Sequence, residues 1–209
     1  MKSPQGRVTA RLVGVSLVAA AISLPLPARA QPEADAFSFD QLIDRAPLIV
    51  VATTTSRRAE WEFYGSSKLI ITKVTMEVEQ SLKGSAPRTL TVEVMGGTIG
   101  DQTQKVFHVP EFRVGDRDVL FLNNHPHSVS PLVGSDQGRF RVMNESAGGT
   151  ARVLTVGFFP LRSVAEVGAA AASGAAGSTN RSTASLASAL SLSDFVTIVR
   201  DRVRLLERR

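Results

Sequence analysis

The chain has no cysteine, a single tryptophan and a single tyrosine in 209 residues. Without thiols there is no disulfide framework and no thiolate metal site, so stability rests on an apolar core. A helix that crosses a membrane needs about twenty apolar residues, and the run from Leu12 to Leu24 offers thirteen. Lys2, Arg7 and Arg11 precede that run, and Pro25-Leu26-Pro27-Ala28-Arg29-Ala30 follows it. This is the layout of a signal peptide over residues 1–30, cleaved after Ala30 so that the mature chain starts at Gln31. The absence of a cysteine after the apolar run excludes a lipid-modified terminus. The expectation is a soluble exported protein, secreted or periplasmic, with no membrane span after cleavage.

Acidic residues are also missing from residues 1–30, which hold four of the 24 basic residues and none of the 19 acidic ones. The mature chain therefore carries 20 basic against 19 acidic residues, a net charge of +1. The high whole-chain pI belongs partly to the leader, and capture of nucleic acid by a strong basic field is disfavoured.

What is present is a succession of short β-branched segments. Ser38-Phe39-Asp40-Gln41 has the spacing of a capping box and predicts a helix over 39–45, ended by Pro47. Leu48 to Thr55 predicts a first strand. A polar and aromatic loop, Ser56 to Ser67, leads to a strand over 68–80. There Ile70, Thr72, Val74, Met76 and Val78 share a buried face, and Ile71, Lys73, Thr75, Glu77 and Glu79 a wet one. Leu82-Lys83-Gly84 closes it. Further strands are predicted at 90–94, 104–109 and 119–122, with weaker ones at 129–133, 139–143 and 152–156. Many short strands and turns indicate an all-β domain, a small closed OB-like β-barrel of about five to eight strands.

The composition then shifts. Of the 23 residues from Gly168 to Leu190, seventeen are Ala, Ser or Gly, a flexible linker or, at its Ala-rich end, an extension of the next helix. That helix has Ser193 as N-cap, Asp194 in its first turn, and Phe195, Val199, Val203 and Leu206 along one face, which docks on the barrel or on a partner. The expected organisation is a signal peptide 1–30, a short segment 31–37, the barrel domain 38–164, the linker 165–190 and a C-terminal helix 191–209.

Asp44 to Ala52, Val78 to Gly84, Thr91-Val92-Glu93-Val94, and Phe112-Arg113-Val114-Gly115 leading into Val119-Leu120-Phe121-Leu122 resemble the netrin-like OB-fold domains over residues 40–143. That family includes the tissue inhibitors of metalloproteinases, and bacterial exported proteins share the same general pattern. The resemblance implies an OB-like barrel of about five strands. The metalloproteinase inhibitors work through an amino-terminal cysteine and its disulfides. This chain has no cysteine, so no inhibitory residue carries over, and protease binding survives as an analogy of fold.

Residues able to carry chemistry are sparse. His125-Pro126-His127 offers two ligands that, with Asp116, Asp118 or His108, would make a small metal-assisted hydrolase, but the spacing is not of zinc type and a polar turn accounts for it. His108, in the strand 104–109, is expected to face solvent. Gly96-Gly97-Thr98-Ile99-Gly100 lacks the continuation of a phosphate loop and reads as a barrel corner. No Gly-x-Ser-x-Gly elbow is present. The segment 60–65 holds the only Trp and Tyr, and Trp61, Phe63 and Tyr64 are the candidate binding residues of a strand 1–2 loop; the competing account is that Trp61 and Phe63 alternate inward as the end of a strand and cap the barrel. Phe112 and Phe121 are core candidates. The expectation is a non-enzymatic module, without cofactor or metal, that binds an exported protein such as a protease, or a polymer. The alternatives are the His125 and His127 hydrolase and a nucleic-acid-binding OB module, the latter weakened by the near-neutral charge.

Overall fold

The computed structural model describes residues 36–123, 128–168 and 185–208. The predicted cleavage site, His125, His127 and most of the predicted linker lie outside these residues. Helix α1 (Phe39–Arg45) is followed by β1 (Leu48–Tyr64), β2 (Ser67–Lys83), β3 (Thr89–Met95), β4 (Gly97–Ile99), β5 (Gln102–Gln104), β6 (Arg117–Leu122), β7 (Arg139–Asn144), β8 (Ala151–Leu154) and α2 (Leu192–Leu206). No helix among the described residues is long and apolar enough to cross a membrane.

Six strands form one antiparallel sheet in the order β3-β2-β1-β6-β7-β8, and β4 and β5 form a separate two-stranded ribbon. The predominance of strand matches the expected class, but neither sheet closes on itself, so the expected closed barrel is corrected to an open sheet. The physical reason is that β3 and β8 lie at opposite edges and turn to different partners. The chain leaves β3 through Gly96 and Gly97 into the ribbon, whereas β8 is bordered by Pro160 and Ser191.

The central strands are buried on both faces, as a sheet covered on each side requires. Ile49, Val51, Val119, Phe121, Phe140 and Val153 face α1 and α2. Val50, Ala52, Val74, Met76, Val92, Leu120 and Leu122 form a second cluster on the opposite side. The capping box predicted for α1 is present, with Ser38 N–H donating to Gln41 Oε1 at 2.8 Å and Gln41 N–H to Ser38 Oγ at 3.3 Å. It fixes the helix start so that Phe39, Leu42 and Ile43 drop into the first core. Helix α2 docks on the same face, with Phe195 and Val199 fully buried. Its N-cap is Ser191 rather than Ser193, because Ser191 Oγ accepts from the Asp194 N–H at 3.1 Å.

Several expected boundaries move. Residues 56–64 are not a loop: β1 and β2 run on as a long hairpin turning at Gly65-Ser66. The predicted strand 104–109 is confined to the end of β5, and 129–133 contributes only an isolated bridge between Leu132 and Leu122. The carboxy-terminal end of the predicted linker is ordered. Leu190 N–H donates to Leu161 O at 2.7 Å and Val153 N–H to Leu190 O at 2.9 Å, with Ala189 buried. The small-residue composition concealed this because the backbone, not the side chains, makes those bonds.

Candidate functional site

A β-bulge near the middle of β1 sets up the site. Two residues, Thr55 and Ser56, stand against Thr75, and the register shifts between Thr54 and Ser56. One extra residue exchanges the faces of everything beyond it. Before the bulge Val50 and Ala52 face the second core. After it, Arg57, Ala59, Trp61 and Phe63 turn to that side, and Arg58, Glu60 and Glu62 to the other.

Across the second face runs a strap, residues 105–116, that has no strand partner of its own. Arginines from two different strands hold it. Arg57 Nη1 donates to Phe112 O at 3.0 Å and reaches Glu111 Oε1 at 3.4 Å, while Arg139 Nη1 donates to Glu111 O at 2.8 Å. The Arg139 guanidinium also sits 4.2 Å from the centre of the Phe112 ring, a cation–π contact strengthened by the absence of water. Farther along, Thr54 N–H donates to Asp116 O at 2.8 Å and Gly115 N–H to Thr54 O at 2.9 Å, tying the strap end to β1.

Arg139 is fully buried, and its Nη2 bonds Asp116 Oδ2 and Asp118 Oδ2, each at 2.8 Å. Arg141 lies 3.4 Å from Asp116 and 4.2 Å from the Phe158 ring centre. Burial pushes the Asp118 carboxyl above the usual carboxylate range in spite of Arg139. Burial also pushes Asp116 up, but the Arg113 N–H and Arg139 outweigh it and hold that carboxyl below its ordinary value. Burial lowers Arg141. Two cations and two anions thus lock the base of the strap to β6 and β7.

Between strap and sheet is an open cleft of about 520 Å³. Its floor is Thr72, Val74 and Val94; Gly96–Thr98 and Thr103 form one wall, and the strap forms the other. Gly97, at φ 143°, lets the ribbon close against the hairpin, since a Cβ there would overlap Thr72 Oγ1. Thr72 Oγ1 donates to Gly96 O at 2.6 Å and fixes the corner. The lip of the cleft is unusual. Phe107 is 91 % exposed, and its neighbour His108 has φ 59°, left-handed for a residue with a side chain.

Of the predicted binding residues, Trp61 and Phe63 share the cleft face at the far end of the hairpin, 37 % and 75 % exposed, with Lys68 Nζ 5.1 Å from the Trp61 ring. Tyr64, the next residue on a strand, belongs to the opposite face. It is half-buried, and burial, with Glu93 and Glu62, raises its hydroxyl above the ordinary value. The segment is the end of a strand on which Trp61 and Phe63 alternate, as the competing account has it, but the two rings are exposed and there is no closed barrel for them to cap. His108 is on the strap, not in a strand, and Asp116 and Asp118 are engaged by arginine. Among the described residues no group of three or more His, Asp or Glu could hold a metal.

Sequence reasoning missed Arg57, Phe107 and Arg139. A signal for Arg139 existed: Asp116 and Asp118, two apart, mirror Arg139 and Arg141, two apart, which is the pattern of a charge ladder across neighbouring strands. Phe107 carried no such mark. Compared with known protein families, curated proteins and solved structures, the chain matches none.

Proposed function

We propose that the chain is an exported, non-enzymatic binding module whose recognition surface is the cleft beneath the strap, and that its partner is a segment of another exported protein. One observation carries this reading: a fully exposed phenylalanine beside a left-handed histidine at the mouth of an open, partly apolar cleft. Burying such a ring is worth about 2–3 kcal/mol. A strained backbone persists only where its surroundings impose it, and such strain gathers at ligand clamps. Trp61 and Phe63 lengthen the same face: Ala59 stands opposite Thr72 of the cleft floor, and four more residues at about 3.3 Å each carry Phe63 about 13 Å beyond it. A groove with aromatic points at both ends suits an extended polypeptide.

Export rests on the leader-like segment 1–30 with cleavage after Ala30. The kinship we favour is the netrin-like one, with the open sheet as a variant lacking barrel closure. A photoreactive amino acid placed at Phe107 should cross-link a specific exported protein, whereas the same group at Leu205, exposed on α2, should not. Phe107→Ser should lose that partner while melting unchanged. Equal labelling from both positions, or full capture by Phe107→Ser, would sink the proposal.

A further inference from the structure

The outer half of β1 has a partner on one side only. Pairing with β6 ends at Thr53 opposite Arg117, and the strap occupies the next position through Thr54. From Ser56 to Tyr64 the strand pairs with β2, and among the described residues no strand pairs with its other edge. Such an edge presents a row of N–H and C=O groups to any chain that can match them.

The charges on this arm are unbalanced within one copy. Arg58 stands directly across the ladder from Lys73, cation against cation, an arrangement that costs stability. Lys73 is compensated, since it pairs with Glu60 and, at 2.9 Å, with Glu62. Hydrogen bonding from Lys73 holds the Glu60 carboxyl below its ordinary value. Arg58, two residues along the same face, adds a weaker Coulombic attraction to Glu60, but the ladder sets no acid opposite it.

We propose that β1 pairs antiparallel with β1 of a second copy, about a two-fold axis at Ala59. A two-fold axis normal to the sheet keeps each face continuous, so residues directly opposite must come from the same face. With Ala59 on the axis, Arg58 lies opposite Glu60 of the partner subunit, and Glu60 opposite the partner's Arg58. Arg57 then faces the partner's Trp61, and Ser56 the partner's Glu62. Neighbouring registers fail. An axis at Arg58 sets arginine on arginine, one at Glu60 sets glutamate on glutamate, and one at Trp61 opposes Glu60 to the partner's Glu62. The Ala59 register alone sets an acid opposite Arg58 without opposing like charges elsewhere. This surface is the strand edge, and it meets the cleft face at Arg57 and Trp61; self-association is read by sedimentation and capture of a partner by cross-linking at Phe107, so the failure of one is distinguishable from the failure of the other.

The test uses the full chain, purified as the expressing cell processes it, in sedimentation equilibrium and on non-reducing gels. Arg58→Glu should raise the dimer dissociation constant at least about tenfold, and Glu60→Arg likewise, while the double exchange should restore it to within about threefold. Ala59→Cys introduces the chain's sole thiol. Its two copies would have Cα atoms about 4.5–5.5 Å apart and oxidise readily to a covalent dimer. Trp61→Cys should not, because its copies would lie four residues apart, about 13 Å. Far-ultraviolet circular dichroism confirms folding, and the Ala59→Cys result decides the matter if a charge variant does not fold. A monomer at about 100 µM, a dimer indifferent to the charge exchange, or cross-linking that ignores position would each overturn the proposal.

Discussion

The two faces of the sheet are held by different physics, although β1 and β6 contribute to both. Against the helices, Phe39, Phe121, Phe140 and Phe195 meet edge-on or tilted, with ring centres 5.1–6.4 Å apart, in an entirely apolar layer. Under the strap, the second apolar cluster, which includes Phe112, is supplemented by a buried arginine and two aspartates. Helices satisfy their own backbone, so nondirectional burial suffices to hold them. A strap without ladder partners needs donors aimed at its carbonyls, and Arg57 and Arg139 supply them. The face built from directional bonds is also the one that retains a cleft, because specific bonds can suspend a chain above a surface where packing would close it.

Substitutions can break this comparison. The largest effect is expected from Phe195→Ala, about 4 kcal/mol of stability from the lost ring and the cavity left behind. Denaturant unfolding should show it, while hydrogen exchange of the strap under native conditions should hardly change relative to the rest. Arg139→Met should cost about 3 kcal/mol, because Asp118 is left buried without its partner. Here exchange across 111–116 should accelerate selectively. If both variants loosen the strap equally, the two faces are not separate in the sense argued.

Acid sharpens the contrast. The folded Asp116 carboxyl sits below its ordinary range, so its contribution is complete above about pH 4 and disappears as pH falls through the folded value. Asp118 has the opposite sign: its raised folded value means that its contribution is lost as pH rises from about 4 through that value. Acidification below about pH 4 should therefore release strap amides before those of β8 and α2, as followed by exchange mass spectrometry. Asp116→Asn should remove that early step. The smallest effect is expected on the helix face at its rim. Ser38→Ala deletes one side of the capping box and should lower stability by about 1 kcal/mol, with the strap untouched.

Legibility followed the range of the interaction. The capping box at Ser38 and Gln41, the helix over 39–45 and the inward face Ile70, Thr72, Val74 and Met76 depend on neighbours in sequence, and each is present as read; Ile71, assigned to the wet face, is corrected to buried. The Ser56–Ser67 segment was misjudged because its Arg, Glu and Ser content suits a loop as well as it suits a solvated strand edge. The account in which Trp61 and Phe63 alternate as the end of a strand has the right local geometry, and alternation puts Tyr64 on the other face; their exposure depends on what the rest of the chain lays over that end. The expected strand 104–109 contained Phe107 and His108, which the structure places on the strap, one exposed and the other left-handed, because no neighbouring strand pairs with that segment.

By itself the sequence determined a β-rich chain without disulfides, a capped first helix and an amphipathic last one, since periodicity and caps are local properties. The tertiary structure alone decided that the sheet stays open, that a single bulge at Ser56 turns Arg57 toward the strap, and that Arg139 meets Asp116 and Asp118 in the interior. Those outcomes depend on which distant strands become neighbours, and a pairing across tens of residues leaves no periodic mark in the chain.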